Sequence, residues 1–325
     1  MPTSLRIVML ALVLTLAACG AAPTSPVSPT TPPPAAPVSP TTPLTTTAPL
    51  TVTDAMGRQV SLTAIPQRIV SLAPSATEML FAIGAGDRVV GDTKYCNYPP
   101  EAEALPKIGG YSASSISVES IVNLTPDLVV AGTVAQAPVV EALTKAGIPV
   151  VVFDPKSFEE VYANIQQLGA LTGTSAKAEQ VVAAMRVRIA AVTAKVATVA
   201  AAKRPSVFYE VFDEPLMTAA PNTFIGQMIT LVGATSIFTD TGKDYPTVSA
   251  EAVILRNPDV IAGPNTHGDK LTTALVAQRP GWADLKAVTT KRIYLLTGDT
   301  VSRPGPRLAD ALEELAKALY PELFG

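Results

Sequence analysis

Histidine, cysteine and tryptophan are scarce in this chain of 325 residues, which has one histidine (His267), two cysteines (Cys19 and Cys96) and one tryptophan. A zinc centre of the Cys/His type takes about four such ligands, so the composition excludes one. Two cysteines give no disulfide framework of the kind found in small secreted domains. A single histidine also weakens any mechanism that depends on a histidine base.

A surplus of positive charge is also missing, since the formal net charge is −3. Nucleic-acid-binding proteins normally present a basic surface, so we expect no nucleic-acid partner. The sequence contains neither the glycine-rich phosphate loops of nucleotide-binding enzymes nor the Gly-x-Ser-x-Gly nucleophile motif. The adjacent acids Asp213 and Glu214 have no obvious second acid to pair with, as a glycosidase would need. The sequence therefore argues against an enzyme.

The first residues have the pattern of a secretion signal. An apolar run over residues 7–18 follows Arg6 and is too short to span a bilayer, as in the core of a signal peptide. It ends in small residues before Cys19 (LAAC), which resembles the lipobox of bacterial lipoproteins. We predict a lipoprotein signal peptide over residues 1–18, with cleavage leaving Cys19 to carry the lipid anchor. An ordinary signal peptide followed by an incidental cysteine is the alternative.

Residues 20–50 consist almost wholly of Pro, Thr, Ser, Ala and Val, without an aromatic or charged residue. Such a segment forms an extended, semi-rigid tether rather than a domain. We therefore assign residues 19–50 to the lipidated cysteine and its tether. A lipid, a stalk and a globular body suit a protein that works just outside a membrane, on the periplasmic side or outer face. A passive adhesive or structural role on the stalk is an alternative.

Short apolar runs alternate with helix-start signals in the globular part, which predicts parallel α/β sheets. A strand over residues 68–72 is followed by a proline and by Ser75-x-x-Glu78, which fits a capping box at the start of a helix. The alternation stops over residues 175–203, which lack proline and glycine and repeat apolar residues at helical spacing. We predict two Rossmann-like lobes, 51–174 and 204–325, joined by one long helix over 175–203.

The two halves repeat a pattern. Residues 117–119 (SVE) precede 126–127 (PD), and residues 249–251 (SAE) precede 258–259 (PD) at the same spacing. The common order and spacing favour two related lobes. Two such lobes would border a cleft at the carboxyl ends of their strands, where ligands commonly bind. A stiff connecting helix predicts little opening and closing.

Residues 68–78 (RIVSLAPSATE) resemble the opening strand and helix of the helical-backbone metal-receptor class of periplasmic binding proteins. Four further segments are similar to the cobalamin-binding branch of that class: 95–102 (YCNYPPEA), 108–110 (IGG), 126–129 (PDLV) and 296–299 (LTGD). The resemblance covers residues 51–325. It implies the class III fold of two Rossmann-like lobes joined by a helix. It also implies a solute-binding protein that delivers a corrinoid such as cobalamin to an ABC importer.

The resemblance implies a partner as well, a permease dimer whose arginines receive one surface glutamate from each lobe. By position, the docking glutamates are Glu119 and Glu251. Each lies in the first turn of a predicted helix, where the helix macrodipole favours a carboxylate. Two carboxylates on separate lobes can orient the protein through charge-assisted arginine pairs. We expect a monomer with no metal and no cofactor of its own.

The resemblance places the ligand in the cleft. Tyr95 and Tyr111 fall near positions where the cobalamin-binding branch has aromatic rings, and Asp299 matches an acidic residue of its cleft. Residues 212–214 should form a loop after the first strand of the second lobe and so face the cleft. The predicted ligand-binding residues are Tyr95, Tyr111, Phe212, Asp213, Glu214, Asp299 and Arg303. A corrinoid is a broad apolar macrocycle edged with amides and suits aromatic faces with a few hydrogen-bonding groups.

Other conspicuous residues have simpler interpretations. We expect Tyr98 and Trp282 to serve in packing, Cys96 to be a small buried apolar residue rather than a cobalt ligand, and His267 to lie in a solvated loop.

The ligand itself has an alternative. Arg303 and Arg307 are the kind of side chains that bind anionic iron chelates, so a ferric siderophore or haem is the second candidate.

Overall fold

The computed structural model describes residues 50–265 and 272–324. The predicted signal peptide, lipidated Cys19, most of the tether and His267 lie outside these residues. Within the described part, no helix combines the length and the apolar character needed to cross a membrane. Three apolar cores lie in one compact unit, Thr45–Gly325, so this unit has the buried core that a domain needs to fold by itself.

The first lobe is built on a parallel sheet of short, buried strands. Its elements in chain order are β1 (Leu50–Thr53), β2 (Gln59–Leu62), β3 (Ile69–Ser71), α1 (Pro74–Ala82), β4 (Val89–Gly91), α2 (Pro100–Glu103), α3 (Val118–Asn123), β5 (Leu128–Ala131), α4 (Ala137–Lys145), β6 (Val150–Val152) and α5 (Phe158–Thr172). The sheet has the order β4-β3-β5-β6, and β1 and β2 form a separate antiparallel hairpin. Strands β3, β5 and β6 are buried along their whole length, without alternation, because both faces of a parallel sheet are covered.

Helix α1 starts differently from the sequence prediction. It begins at Pro74, behind Ala73, and has no side-chain cap, so the predicted capping box of Ser75 and Glu78 is wrong. Proline suits the first helical position because its fixed φ and missing N–H cost nothing there. The Glu78 carboxylate is left to bind residues of the second lobe.

One long helix, α6 (Ser175–Ala197), connects the lobes as predicted. Its buried residues recur every three or four positions, as for Val182, Met185 and Ile189. The helix ends six residues earlier than predicted. The Thr198 hydroxyl donates to the carbonyl of Lys195 (2.7 Å), a local bond that competes with further helix.

The second lobe repeats the first. Its elements are β7 (Ser206–Asp213), β8 (Leu216–Thr218), α7 (Phe224–Leu231), β9 (Thr235–Ser236), α8 (Ala250–Arg256), β10 (Val260–Pro264), α9 (Thr273–Ala277), α10 (Lys286–Thr289), β11 (Ile293–Leu296), α11 (Gly298–Val301), α12 (Leu308–Leu319) and α13 (Pro321–Phe324). Strands β9, β7, β10 and β11 are parallel in that order, which matches β4-β3-β5-β6. Strand β8 is the addition, antiparallel to the carboxyl-terminal half of β7.

The largest apolar core joins both lobes. It takes residues from α1, α5, α6, α7 and α12, represented by Met79, Leu168, Met185, Met228 and Leu312. The two smaller cores lie one in each lobe. The predicted fold of two related α/β lobes joined by a helix is confirmed.

Candidate functional site

The strand-end loops of the two lobes meet. Lys156, which follows β6, places its Nζ 2.7 Å from the Asp244 carboxylate in the second lobe. Asn97, which follows β4, donates from its Nδ2 to Oδ2 of Asp299 over 2.7 Å. These contacts join loops at the carboxyl ends of parallel strands, so the two lobes border a common cleft there.

Tyr95 lies on the first-lobe loop at this cleft and keeps 50% of its surface exposed. The next residue, Cys96, is buried as expected. Its thiol lies 3.2 Å from the hydroxyls of Thr77 and Thr93, and burial raises the pKa of that thiol. The loop is thus anchored by Cys96, while the Tyr95 ring is half-exposed with the Lys94 Nζ 5.2 Å from its centroid.

Tyr111 is half-exposed and held by a residue that the sequence analysis missed. Gln136 is fully buried, and its Nε2 donates to the carbonyls of Tyr111 (2.8 Å) and Leu72 (2.9 Å). It thereby ties the Tyr111 loop to the end of β3. Burial, and next the nearby Asp154 carboxylate, raise the pKa of Tyr111.

Phe212, Asp213 and Glu214 do not form the loop that was predicted. Phe212 and Asp213 are the last residues of β7, and Glu214 lies in the turn to β8. The strand runs further than expected because β8 folds back and pairs with it, Asp213 with Leu216. These residues are still at the carboxyl end of β7, and Phe212 is exposed.

Tyr245 is a further aromatic residue of the second lobe that sequence reasoning missed. The segment around it is hydrogen-bonded along β8 and its continuation, from Ala220 N to Asp244 O (2.8 Å) and from Val248 N to Leu216 O (2.9 Å). Burial, and to a lesser degree Asp244, Asp154 and Tyr111, raises the pKa of Tyr245 to about 12. The Asp154 carboxylate and Tyr111 of the first lobe therefore lie within electrostatic range of Tyr245. Its only sequence signal is an aromatic residue before a proline.

Asp299 and Arg303, both predicted to bind the ligand, are paired with each other. The Arg303 guanidinium lies 2.8 Å from the Asp299 carboxylate. It also donates to the Asn97 side-chain oxygen (2.8 Å) and to the Tyr95 carbonyl (3.1 Å). Arg303 therefore supports the loop that carries Tyr95.

Glu78 also binds Arg303, and it was not predicted to be a site residue. Its buried carboxylate accepts from Arg303 (3.0 Å) and from two nitrogens of Arg307 (2.9 and 2.6 Å). The Arg307 guanidinium stacks over Tyr98 at 4.2 Å from the ring centroid. Tyr98 is thus engaged in packing, as expected. We call Glu78, Asn97, Asp299, Arg303 and Arg307 the interlobe network.

An ion pair between the buried Asp92 and the partly exposed Lys107 supports the Tyr95 loop. The Lys107 Nζ is 2.7 Å from Oδ1 of Asp92 and donates to the carbonyls of Cys96 (3.3 Å) and Ala102 (2.7 Å). The other Asp92 oxygen, Oδ2, is buried without a hydrogen-bond partner. Burial raises the pKa of Asp92 to about 6, although Lys107 opposes the shift.

Glu119 and Glu251 occupy equivalent exposed positions, each second in its helix. Behind them, Ser117 and Ser249 cap the helices by accepting from Ser120 N (3.1 Å) and Ala252 N (3.2 Å). Hydrogen bonds from the backbone N–H of Glu251 itself, and then from Ser249, lower the pKa of Glu251. Both glutamates are therefore presented on matching helix starts.

Trp282 serves in packing, as predicted. It is fully buried against Phe208 (ring centroids 6.0 Å apart) and lies under Arg279, whose guanidinium binds the buried Glu210 carboxylate through two hydrogen bonds.

Residues 69–300 match the model of a family described as periplasmic binding protein. The chain belongs to this family. It is therefore a binding protein and not an enzyme, in agreement with the missing catalytic motifs.

Two relatives and one solved structure give the closer context. The chain is 37% identical over 282 residues to an uncharacterised ABC transporter substrate-binding lipoprotein of Bacillus subtilis, covering 85% of this chain and 87% of the relative. It is 33% identical over 278 residues to a cobalamin-binding protein of Halobacterium salinarum, covering 84% and 74%. A periplasmic haem-binding protein from Roseiflexus superposes with a TM-score of 0.72 at 29% identity, covering 79% of this chain and 99% of that structure.

Proposed function

We propose that this chain is a lipid-anchored, extracytoplasmic substrate-binding protein that captures a corrinoid in the interlobe cleft and delivers it to an ABC importer. The observation that carries the proposal is the set of incompletely buried aromatic rings at the strand ends of both lobes, formed by Tyr95, Tyr111, Phe212 and Tyr245. Rings presented from two sides suit a broad apolar macrocycle. The cobalamin-binding relative from Halobacterium supports the same ligand.

The anchor and the location rest on the N-terminal sequence. The apolar run over residues 7–18 and the LAAC segment ending at Cys19 fit a lipoprotein signal, and the Bacillus relative bears the name lipoprotein. A tether over residues 20–50 would let the body reach a membrane transporter while it stays attached.

Docking to the importer is assigned to Glu119 and Glu251. Their matching placement on the two lobes suits a permease with two-fold symmetry. Exposed apolar side chains follow on the same helices, Val122 after Glu119 and Leu255 after Glu251, the latter 87% exposed. Such side chains would add apolar contact to the charged pairs. We propose that the protein acts as a monomer on a permease dimer.

Haem is the second candidate ligand. The Roseiflexus neighbour is named a haem-binding protein. A tyrosine can ligate haem iron, and Tyr95, Tyr111 and Tyr245 bring phenol groups to the cleft. Direct titration with each ligand distinguishes the corrinoid proposal from the haem alternative.

The test is a calorimetric titration of the Thr45–Gly325 unit with cyanocobalamin, haemin and a ferric hydroxamate. We expect one-to-one binding of cyanocobalamin that is weakened by Tyr95→Ala and unchanged by Glu119→Ala. If the protein binds an iron chelate but not cyanocobalamin, the proposed ligand changes and the proposed transport role stands. No binding to any of the three would refute the corrinoid proposal.

A further inference from the structure

The interlobe network is electrically neutral although it contains two arginines. Glu78 and Asp299 supply two carboxylates against Arg303 and Arg307. The side chains of the arginines are only 11% and 17% exposed. The positive charge that the sequence places next to the cleft is therefore cancelled within the protein.

Most hydrogen-bond donors of Arg303 are also occupied. One terminal nitrogen donates to Glu78 and Asn97, and the other reaches Asp299 and the Tyr95 carbonyl. Three of these contacts are hydrogen bonds and the contact with Asp299 is an ion pair, so three of the four hydrogens of the two terminal nitrogens are donated within the protein. The Arg303 guanidinium cannot bind a ligand carboxylate through both terminal nitrogens unless these contacts are first broken.

Arg307 is bound by Glu78 along one edge of its guanidinium, while its other terminal nitrogen makes a long contact with the Thr300 hydroxyl (3.4 Å). Its Nε and one terminal nitrogen donate to the two carboxylate oxygens of Glu78. The plane of the guanidinium stacks over the Tyr98 ring. A bidentate guanidinium–carboxylate pair in a buried position is among the stronger polar contacts. Glu78 thus binds both arginines. It lies in α1 of the first lobe, so these ion pairs join the two lobes.

Two further cations of the described residues, Lys156 and Lys94, do not reverse this balance. Lys156 is paired with Asp244 at 2.7 Å. Lys94 lies 5.2 Å from the centroid of the Tyr95 ring but is exposed, so water and salt screen its charge. Asp154 adds a negative charge close to Tyr111 and Tyr245.

We propose that Glu78 is a specificity-determining residue, which neutralises Arg303 and Arg307 and so selects an uncharged, amide-edged macrocycle over anionic iron chelates. Haem carries two propionates and ferric catecholate siderophores are anionic, so either would need cationic donors that Glu78 keeps occupied. The inference rests on the proposed function, and it gives the physical basis for ligand choice within that function.

The experiment compares four forms of the Thr45–Gly325 unit by titration with cyanocobalamin and haemin in low salt. They are wild type, Glu78→Gln, Glu78→Gln with Arg307→Gln, and the control Glu141→Gln, which alters an exposed glutamate of α4. Glu78→Gln should raise the affinity for haemin relative to cyanocobalamin by about tenfold. The double variant restores the charge balance and should return the ratio towards wild type, and the control should not move it.

The inference is overturned if the ratio stays constant in a folded Glu78→Gln variant. It is equally overturned if the ratio stays raised in the double variant, since loosened lobes rather than charge would then be the cause. Wild type provides a test that needs no folded variant, because it should bind cyanocobalamin more tightly than a corrinoid monocarboxylate of the same shape. Equal or tighter binding of the anionic corrinoid would contradict the inference.

Failure of the proposed function is a separate result. If wild type binds no corrinoid, the corrinoid function falls, and the role of Glu78 is judged on haemin alone. An unchanged haemin affinity in Glu78→Gln then refutes the inference. If wild type binds cyanocobalamin but the ratio does not respond to Glu78→Gln, the function stands and only the inference falls.

Discussion

Asp259 in the second lobe makes the contact that Asp127 makes in the first. Asp127 accepts from the backbone N–H groups of Gln67 and Arg68 (2.7 and 2.8 Å), just before β3. Asp259 accepts from the backbone N–H and the hydroxyl of Ser206 (2.8 and 2.9 Å), at the start of β7. Each aspartate follows a proline that lies just beyond a short helix. The repeated Pro-Asp pair therefore holds the start of the first central strand of its lobe in place through hydrogen bonds.

Replacement of these aspartates should destabilise the fold. We expect Asp127→Ala to lower the free energy of unfolding by about 1 kcal/mol, because the contact is exposed to water. Asp259→Ala should cost more, since Asp259 is less exposed and also pairs with Lys286. Chemical denaturation measures both. Asp87→Ala, at a side chain 85% exposed, is the control and should have little effect. Equal stability of all three variants would contradict this role.

The Asp92 carboxylate should make stability depend on pH. Its pKa of about 6 in the folded state lies above its ordinary value of 3.8, so between these values the folded protein holds a proton that the unfolded chain has lost. Stability relative to Asp92→Asn should therefore fall as pH rises from about 4 to about 6, by at most about 1.4 kcal/mol per pH unit, and stay level above that. Denaturation of both forms across this range measures the difference. A difference that grows with pH would show that Lys107 outweighs burial.

Tyr245 should contribute to ligand affinity from the second lobe. Loss of its ring in Tyr245→Ala should weaken cyanocobalamin binding by about tenfold, because an aromatic contact is worth roughly 1 kcal/mol beyond its buried area. Tyr245→Phe keeps the ring and should bind almost as wild type does. Calorimetry gives both affinities. If the alanine variant binds as tightly as the phenylalanine variant, Tyr245 does not touch the ligand.

The docking glutamates should separate transport from binding. The double substitution Glu119→Gln and Glu251→Gln should reduce ligand uptake in cells by about tenfold or more, because both proposed charged contacts with the permease are lost. Ligand affinity in solution should stay unchanged, since both side chains lie on exposed helix starts. Glu141→Gln again serves as the control for loss of an exposed carboxylate. Normal uptake by the double variant would exclude the predicted docking role.

The sequence by itself determined the lobes and their connection. The repeated Ser-x-Glu and Pro-Asp segments predicted related lobes because they recur in the same order and spacing, and the helix caps among them depend on residues close in the chain. The spacing of Met185 and Ile189 predicted the connecting helix for the same reason, as helical periodicity is local. Resemblance, rather than periodicity, supplied Tyr95, Tyr111, Asp299 and the two docking glutamates.

Only the tertiary structure decided how the side chains at the cleft are paired. Glu78 had a local explanation in the sequence, as half of a capping box, yet its partner Arg303 lies 225 residues away. Tyr245 had no local signal beyond its place before a proline, since the pairing of its segment with β8 places it. Local spacing fixes a helix or a strand end, but an ion pair between lobes exists only after both lobes have packed on the helix between them. For that reason the sequence predicted arginines at the cleft, whereas the structure showed that their charge is already neutralised.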